Sequence, residues 1–112
     1  HFIMSGRLHH YAPVLRQLAK TSQKNRKKII KKLPKEFTIC MSEICRNILK
    51  GNVPLSSAQM ARLRHHRKIV KKIALKKTTL KQKKKLIQKG GFLGAILTPI
   101  LSILGGLLGN RS

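Results

Sequence analysis

One cationic stretch, residues 62–89, restricts what this chain can fold into. It holds 13 of the chain's 26 lysine and arginine residues and no acidic residue. Like charges four residues apart on a helix repel each other by roughly 0.2–0.5 kcal/mol, and nothing within the stretch offsets that repulsion. We therefore predict that another molecule supplies the counter-charge, and we take these 13 side chains as candidate nucleic-acid contacts: Arg62, Arg64, Arg67, Lys68, Lys71, Lys72, Lys76, Lys77, Lys81, Lys83, Lys84, Lys85 and Lys89.

The charge of the whole chain also indicates an anionic partner. Glu36 and Glu43 are the only acidic residues among 112, and the formal net charge is +24. Such a charge indicates DNA, RNA or an anionic membrane as the partner. Lysine dominates the stretch, and because its ammonium is a point charge, we expect contacts to phosphates rather than to base edges. The scarcity of aromatic residues argues against recognition of single strands by base stacking.

Apolar residues recur at three- and four-residue steps along the chain and predict an all-α protein. We expect helices over residues 8–20, 22–33, 36–50, 57–75 and 80–89, with Gly51 ending the third and Ser56 or Ser57 capping the fourth. Pro13 is tolerable only if the first helix begins near it. The prediction is a small domain of about four helices, to which a basic helix and an apolar C-terminal helix are appended outside the core. The corresponding regions are an N-terminal helical region (1–55), a Lys/Arg-rich helix pair (56–89) and a Gly-Gly linker with an apolar segment (90–112).

The apolar segment has no charge from residue 92 to residue 108, which is the lower limit for spanning a bilayer. Its proline and glycines make it a poor regular span, and two interpretations stay open. It contacts a membrane or the inside of a capsid, or it is a helix buried against protein. The candidate contact residues are Phe92, Leu93, Ile96, Leu97, Ile100, Leu101 and Leu104.

The sequence offers no candidate catalytic residues, metal ligands or cofactor site. Two carboxylates are too few for the metal ions of a nuclease, and no serine, histidine and aspartate set exists. Cys40 and Cys45 have no histidine at zinc-finger spacing beside them, so we expect buried thiols. The prediction is a non-enzymatic protein without a cofactor.

Residues 47–97 resemble a family of small basic proteins encoded by Polinton/Maverick-type elements, including adintoviruses, in animal genomes. The shared pattern is "LKGNVPL", then a Lys-rich helix pair, then "QKGGFLGA". It covers about half of the chain. The resemblance implies a viral context, with the protein in the virion core and in the host nucleus during assembly.

A looser likeness is to the adenovirus precursor of the mu core peptide, which joins a cationic, DNA-condensing stretch through Gly-Gly to an apolar tail. There a viral cysteine protease cuts after the glycines, with an apolar residue at the fourth position upstream. The likeness makes Gly91 and Gly106 candidate cleavage positions. Gln88 departs from the stricter pattern and Ile103 fits it. The mu peptide is Arg-rich, whereas this chain is Lys-rich.

Together these observations predict a virion core or minor capsid protein that binds duplex DNA through phosphates without sequence preference. The alternative is a membrane-active peptide that acts through residues 92–108 during viral entry into cells. An anionic membrane, a capsid protein and a viral cysteine protease are further candidate partners. An RNA-binding regulator of ribosomal type also fits the charge, but it leaves the apolar segment unexplained.

Overall fold

The computed structural model describes residues 6–89 and 91–107, and side chains up to residue 102. This part of the chain contains helices and no strands, so the predicted all-α class is confirmed. The prediction of about four helices is wrong, because the described residues form seven. They are α1 (Gly6–Ala19), α2 (Gln23–Lys31), α3 (Lys35–Leu49), α4 (Ser57–Arg64), α5 (Arg67–Ala74), α6 (Leu80–Gln88) and α7 (Phe92–Leu107).

Short polar residues fix where the helices begin and end. Ser56 and Gln59 form a capping box at the start of α4, and Thr79 and Gln82 form another at the start of α6. Each box satisfies two backbone N–H groups that have no partner within the helix. Gly51 follows α3 with φ of +76°, a conformation that costs a residue with a Cβ about 1–2 kcal/mol. The predicted end of the third helix at Gly51 and the predicted cap of the following helix at Ser56 are thus confirmed.

Helix α3 occupies the centre of the core and packs against α1, α5 and α6. Its apolar face is buried from Phe37 to Cys45, whereas Leu49 at its C-terminal end is exposed. The ring of Tyr11 from α1 meets that of Phe37 edge-on, with centroids 5.4 Å apart. The fully buried side chains of α3 are Phe37, Cys40, Met41, Ile44 and Cys45.

The expected helix over residues 57–75 is in fact two helices, with a turn at His65 and His66. The two halves pack against different neighbours, since α4 contacts α7 whereas α5 contacts α3 and α6. The apolar spacing from Leu63 to Val70 is seven residues and suits one continuous helix, so the break was not visible in the sequence. Tertiary contacts therefore override local periodicity here.

The prediction that the C-terminal helix lies outside the core is wrong. Helix α7 packs against α1 and α4, and the apolar side chains of its first turns are buried. Burying one large apolar side chain contributes about 1.5–3 kcal/mol, so α7 is a main source of the domain's stability. Helix α6 is also part of the core, through Ile87.

Pro13 lies in the middle of α1, not near its start. A proline inside a helix removes a backbone hydrogen bond and costs about 3 kcal/mol or more. The opposite face of α1 offsets this cost, because Leu8, Leu15 and Leu18 are almost fully buried. The expectation for Pro13 is wrong because tertiary burial outweighs helix propensity.

Candidate nucleic-acid interface

Most of the predicted nucleic-acid contacts lie on the surface. Eleven of the 13 candidate cations are exposed, and within the described residues none of the eleven forms an ion pair with a carboxylate. Their charges are therefore available to a phosphate-bearing partner. The eleven are Arg62, Arg64, Arg67, Lys68, Lys71, Lys72, Lys76, Lys77, Lys81, Lys85 and Lys89.

Lys83 is the first of the two exceptions, because it is buried with only 4% of its surface exposed. Its ammonium donates a hydrogen bond of 2.8 Å to the Ser42 hydroxyl. Burial lowers the pKa of Lys83, and the nearby guanidinium of Arg46 lowers it further. The structure therefore places Lys83 inside the domain, where its ammonium is not available to a phosphate.

Ser42 joins this buried site to the end of α5. Its hydroxyl donates to the carbonyl of Ile73 (2.8 Å) and accepts from Arg46 (3.0 Å) as well as from Lys83. Arg46 also donates to the carbonyl of Ala74 at 3.2 Å. A hydroxyl has one donor and two acceptor positions, so that of Ser42 is fully used. The two cations lie at the negative end of α5, where positive charge is favourable.

Lys84 is the second exception. It is half-buried, and its ammonium donates a hydrogen bond of 3.0 Å to the carbonyl of Leu33, just after α2. This bond joins α6 to the end of α2. Lys84 therefore positions the cationic helices against each other.

Where α2 and α6 pack together, they form a cleft lined mainly by lysine, with a volume of about 330 Å³. Lys85 and Lys89 come from α6 and its C-cap, and the other lysines come from α2, more than 50 residues earlier in the chain. No acidic residue lines the cleft. Its lining residues are Lys27, Lys28, Lys31, Lys85, Gln88 and Lys89.

The α2 lysines were missed by the sequence prediction, which was confined to residues 62–89. A signal was present, since α2 and its C-cap contain six cations within nine residues: Lys24, Arg26, Lys27, Lys28, Lys31 and Lys32. What the sequence does not show is that α2 packs beside α6. The fold thus joins two cationic segments that are distant in sequence.

Two arginines from different helices meet over Gly94, in the first turn of α7. A Cβ on Gly94 would lie 3.5 Å from Nη1 of Arg26 and 3.5 Å from Nη2 of Arg62. The two guanidinium groups are therefore close neighbours, with no carboxylate between them in the described structure. Arg26 is held in place because its Nε donates a 2.8 Å hydrogen bond to the carbonyl of Leu18. Such a pair can hold one phosphate with several hydrogen bonds.

The turn between α4 and α5 adds a third cationic area. A shallow depression there is lined by Arg64, His65, His66, Arg67 and Lys68, together with Ile69. His66 lies near Gly91, because a Cβ on that glycine would be 3.8 Å from its ring. The turn therefore presents a row of cationic and imidazole groups beside the start of α7.

The predicted membrane or capsid contacts lie mostly in the core. Phe92, Leu93, Ile96, Leu97 and Ile100 are buried, and Leu101 is half-buried. The side chain of Leu104 lies outside the described residues. Of the candidate cleavage positions, Gly91 is exposed just before α7, whereas Gly106 is in the last turn of that helix. No helix in the described part of the chain is long and apolar enough to cross a membrane.

The remaining reactive groups form no recognisable site. Both cysteines are free and buried, as predicted, and burial raises the pKa of each thiol to about 12. Within residues 6–89 and 91–107, no group of three or more histidine, cysteine, aspartate or glutamate residues is arranged to hold a metal ion.

Comparisons with protein-family models, with curated proteins and with solved structures found no significant match. The functional argument therefore rests on the geometry and charge of the chain itself.

Proposed function

We propose that this protein binds duplex DNA through its phosphates, without sequence preference, as a core or minor capsid protein of a virion. The observation that carries the proposal is the lysine cleft between α2 and α6, where five ammonium groups from two distant segments line one surface. A lone cationic helix is compatible with a solvated surface. Cations brought together by folding, without acidic partners, are best explained by an external polyanion.

The size and charge of the chain support a role in neutralising DNA. The described part of the chain is 37 Å long in its longest dimension. Duplex DNA carries one negative charge per about 1.7 Å of its axis, so a duplex of that length carries about 22 charges. The formal charge of the protein, +24, is of the same size. One molecule could therefore balance about one turn of duplex, as expected for DNA condensation.

The virion context rests on the resemblance to Polinton/Maverick proteins and on the looser likeness to the mu precursor. The same context motivates the host nucleus as the place of assembly and a viral cysteine protease as the enzyme acting at Gly91 or Gly106. These parts of the proposal do not follow from the cleft, and they need separate tests.

Binding to two unrelated duplexes of equal length, measured over a range of salt, tests the DNA proposal. If all five cleft lysines contact phosphates, they alone give a slope of about −4.5 in a plot of log K against log salt. Affinity should then fall about 500-fold between about 50 and 200 mM salt, and equally for both duplexes. A strong preference for one sequence, or affinity that is insensitive to salt, would contradict the proposal.

The membrane-active alternative has less support, because α7 would have to leave the core before its apolar face could meet lipid. Each large side chain removed from the core costs about 1.5–3 kcal/mol. Dye release from anionic vesicles by the intact chain, lost when residues 92–112 are deleted, would favour this alternative. Intact vesicles at a high ratio of protein to lipid would argue against it.

A further inference from the structure

An apolar groove lies between the C-terminal end of α3, the loop over residues 51–56 and helices α4 and α5. Its volume is about 490 Å³, and it shares no lining residue with the lysine cleft. Its apolar residues are not among the candidate nucleic-acid contacts, although Arg64 and Arg67 at its edge are. Its apolar walls include Leu49, Val53, Leu55, Met60, Leu63 and Val70.

The groove contains unusually exposed apolar side chains. Four large apolar residues of the described structure are exposed, and two of them, Met60 (48%) and Leu49 (45%), line this groove. Apolar side chains that line a shared concave surface are typical of a binding site, whereas isolated ones are common on any protein. Methionine in addition adapts its shape to different partners.

The walls of the groove are held in place without a partner. Gly51 turns the chain sharply after α3, and Asn52 donates a 3.1 Å hydrogen bond to the side chain of Asn47. The capping box of Ser56 then fixes the start of α4. Because the groove is preformed, the protein loses little conformational entropy when a ligand binds. More of the free energy gained by burying the apolar surface therefore remains for binding.

Charge selects the kind of occupant. Arg64 and Arg67 are exposed at the groove and have no carboxylate partner within the described residues. Of the chain's two acidic residues, Glu43 pairs with Arg7, and Glu36 lies in the first turn of α3, at the end opposite to the groove. A second copy of this chain is a poor occupant, since two molecules of charge +24 repel each other.

We propose that this groove binds an amphipathic helix of another protein, with large apolar side chains on one face and aspartate or glutamate beside them. The apolar face would pack between Leu49 and Met60, as helices do in other hydrophobic grooves. The acidic side chains would meet Arg64 and Arg67. The groove thus gives a protein whose lysine cleft is bound to DNA a place outside that cleft to attach an acidic partner.

Three synthetic peptides test the proposal. The first has leucines at helical spacing and a glutamate-rich polar face. The second has the same composition with the leucines dispersed, and the third replaces glutamate by lysine. Binding is measured by fluorescence anisotropy at about 0.15 M salt, which screens long-range attraction. The first peptide should bind at least about tenfold more tightly than either of the others.

Matched variants place the binding in the groove. Met60→Gln and Leu49→Gln each remove an exposed apolar contact and should weaken the first peptide about tenfold. Leu75→Gln and Leu80→Gln change the other two exposed apolar residues, which lie outside the groove, and should alter affinity by less than about twofold. Circular dichroism confirms that each variant keeps its helices.

Several results would overturn the proposal. Equal binding of the patterned and dispersed peptides would show attraction by charge alone, and equal binding of the lysine peptide would show that charge does not select the partner. Self-association of the protein that Met60→Gln abolishes would make a second copy the occupant. Duplex DNA binding is measured on the same variants, and Met60→Gln should leave it unchanged, so that failure of this proposal is separate from failure of the DNA proposal.

Discussion

Replacing Lys83 by methionine should stabilise the protein, although it removes a buried hydrogen bond. Methionine has a similar length and no charge, so Lys83→Met keeps the packing of α6 against α3. The change removes the ammonium that donates to Ser42. It leaves the hydroxyl of Ser42 still bonded to Ile73 and Arg46, which keep the end of α5 in place.

The expected magnitude follows from the distances at Ser42. Lys83 and Arg46 bond to the same oxygen at 2.8 and 3.0 Å, so their two nitrogens are at most 5.8 Å apart. At an effective dielectric constant of about 20, two such charges repel by about 3 kcal/mol. The lost hydrogen bond is worth about 1.5–3 kcal/mol and roughly cancels that repulsion. The cost of taking the ammonium out of water remains, so we expect Lys83→Met to raise the free energy of unfolding by about 1–2 kcal/mol.

The pH dependence of this difference provides a second signature. The pKa of Lys83 is lowered in the folded state, so the unfolded chain binds its proton more tightly. Lys83 therefore destabilises the fold at neutral pH, and this effect disappears as the pH rises from the lowered pKa to the ordinary value of 10.5. The stability difference between Lys83→Met and the wild type should shrink over that range.

Urea unfolding followed by circular dichroism measures the stability difference at a series of pH values. Lys81→Met is a suitable control, because Lys81 is exposed on the same helix. It should change the stability by less than about 0.5 kcal/mol. A Lys83→Met variant less stable than the wild type at neutral pH, or a difference that does not depend on pH, would refute the reasoning.

Three further predictions test other parts of the structure. Pro13→Ala should raise the free energy of unfolding by about 1–2 kcal/mol in urea titrations, because it restores a hydrogen bond inside α1; a loss of stability would show that Pro13 shapes the helix. Cys40 and Cys45, with pKa values of about 12, should resist a thiol reagent at about pH 8 until the protein is unfolded, and rapid labelling of the folded protein would contradict their burial. If Arg26 and Arg62 share one phosphate, Arg62→Lys should weaken duplex binding almost as much as Arg62→Gln, whereas an Arg62→Lys variant with wild-type affinity would indicate charge alone.

The helices and their ends were largely predictable because their causes are local. The caps at Ser56 and Thr79 and the turn at Gly51 depend on residues within four positions of each other. The break at His65 and the place of α7 depend instead on which helices pack together. The hydrophobic pattern alone could not show that the apolar face of α7 covers α1. The sequence therefore left open whether residues 92–108 contact a membrane or capsid or are buried against protein.

The candidate site was likewise predictable from the sequence only in part. Charge density along the chain was enough to predict eleven exposed cations between residues 62 and 89. It could not show that Lys83 is buried, because its partner Ser42 lies 41 residues away in sequence. Nor could it show that the lysines of α2 line one cleft with Lys85 and Lys89.

The central claim is that folding joins α2 and α6 into one phosphate-binding surface, and two triple variants of equal charge test it most directly. The first variant changes three lysines of the cleft to glutamine: Lys27, Lys31 and Lys85. The second variant, the control, changes three exposed lysines outside the cleft to glutamine: Lys20, Lys35 and Lys50. We predict that the cleft variant reduces the salt slope of duplex binding by about 2.7 and the control variant by less than about 1. Equal losses in both variants would contradict the account, because binding would then depend on net charge and not on the cleft.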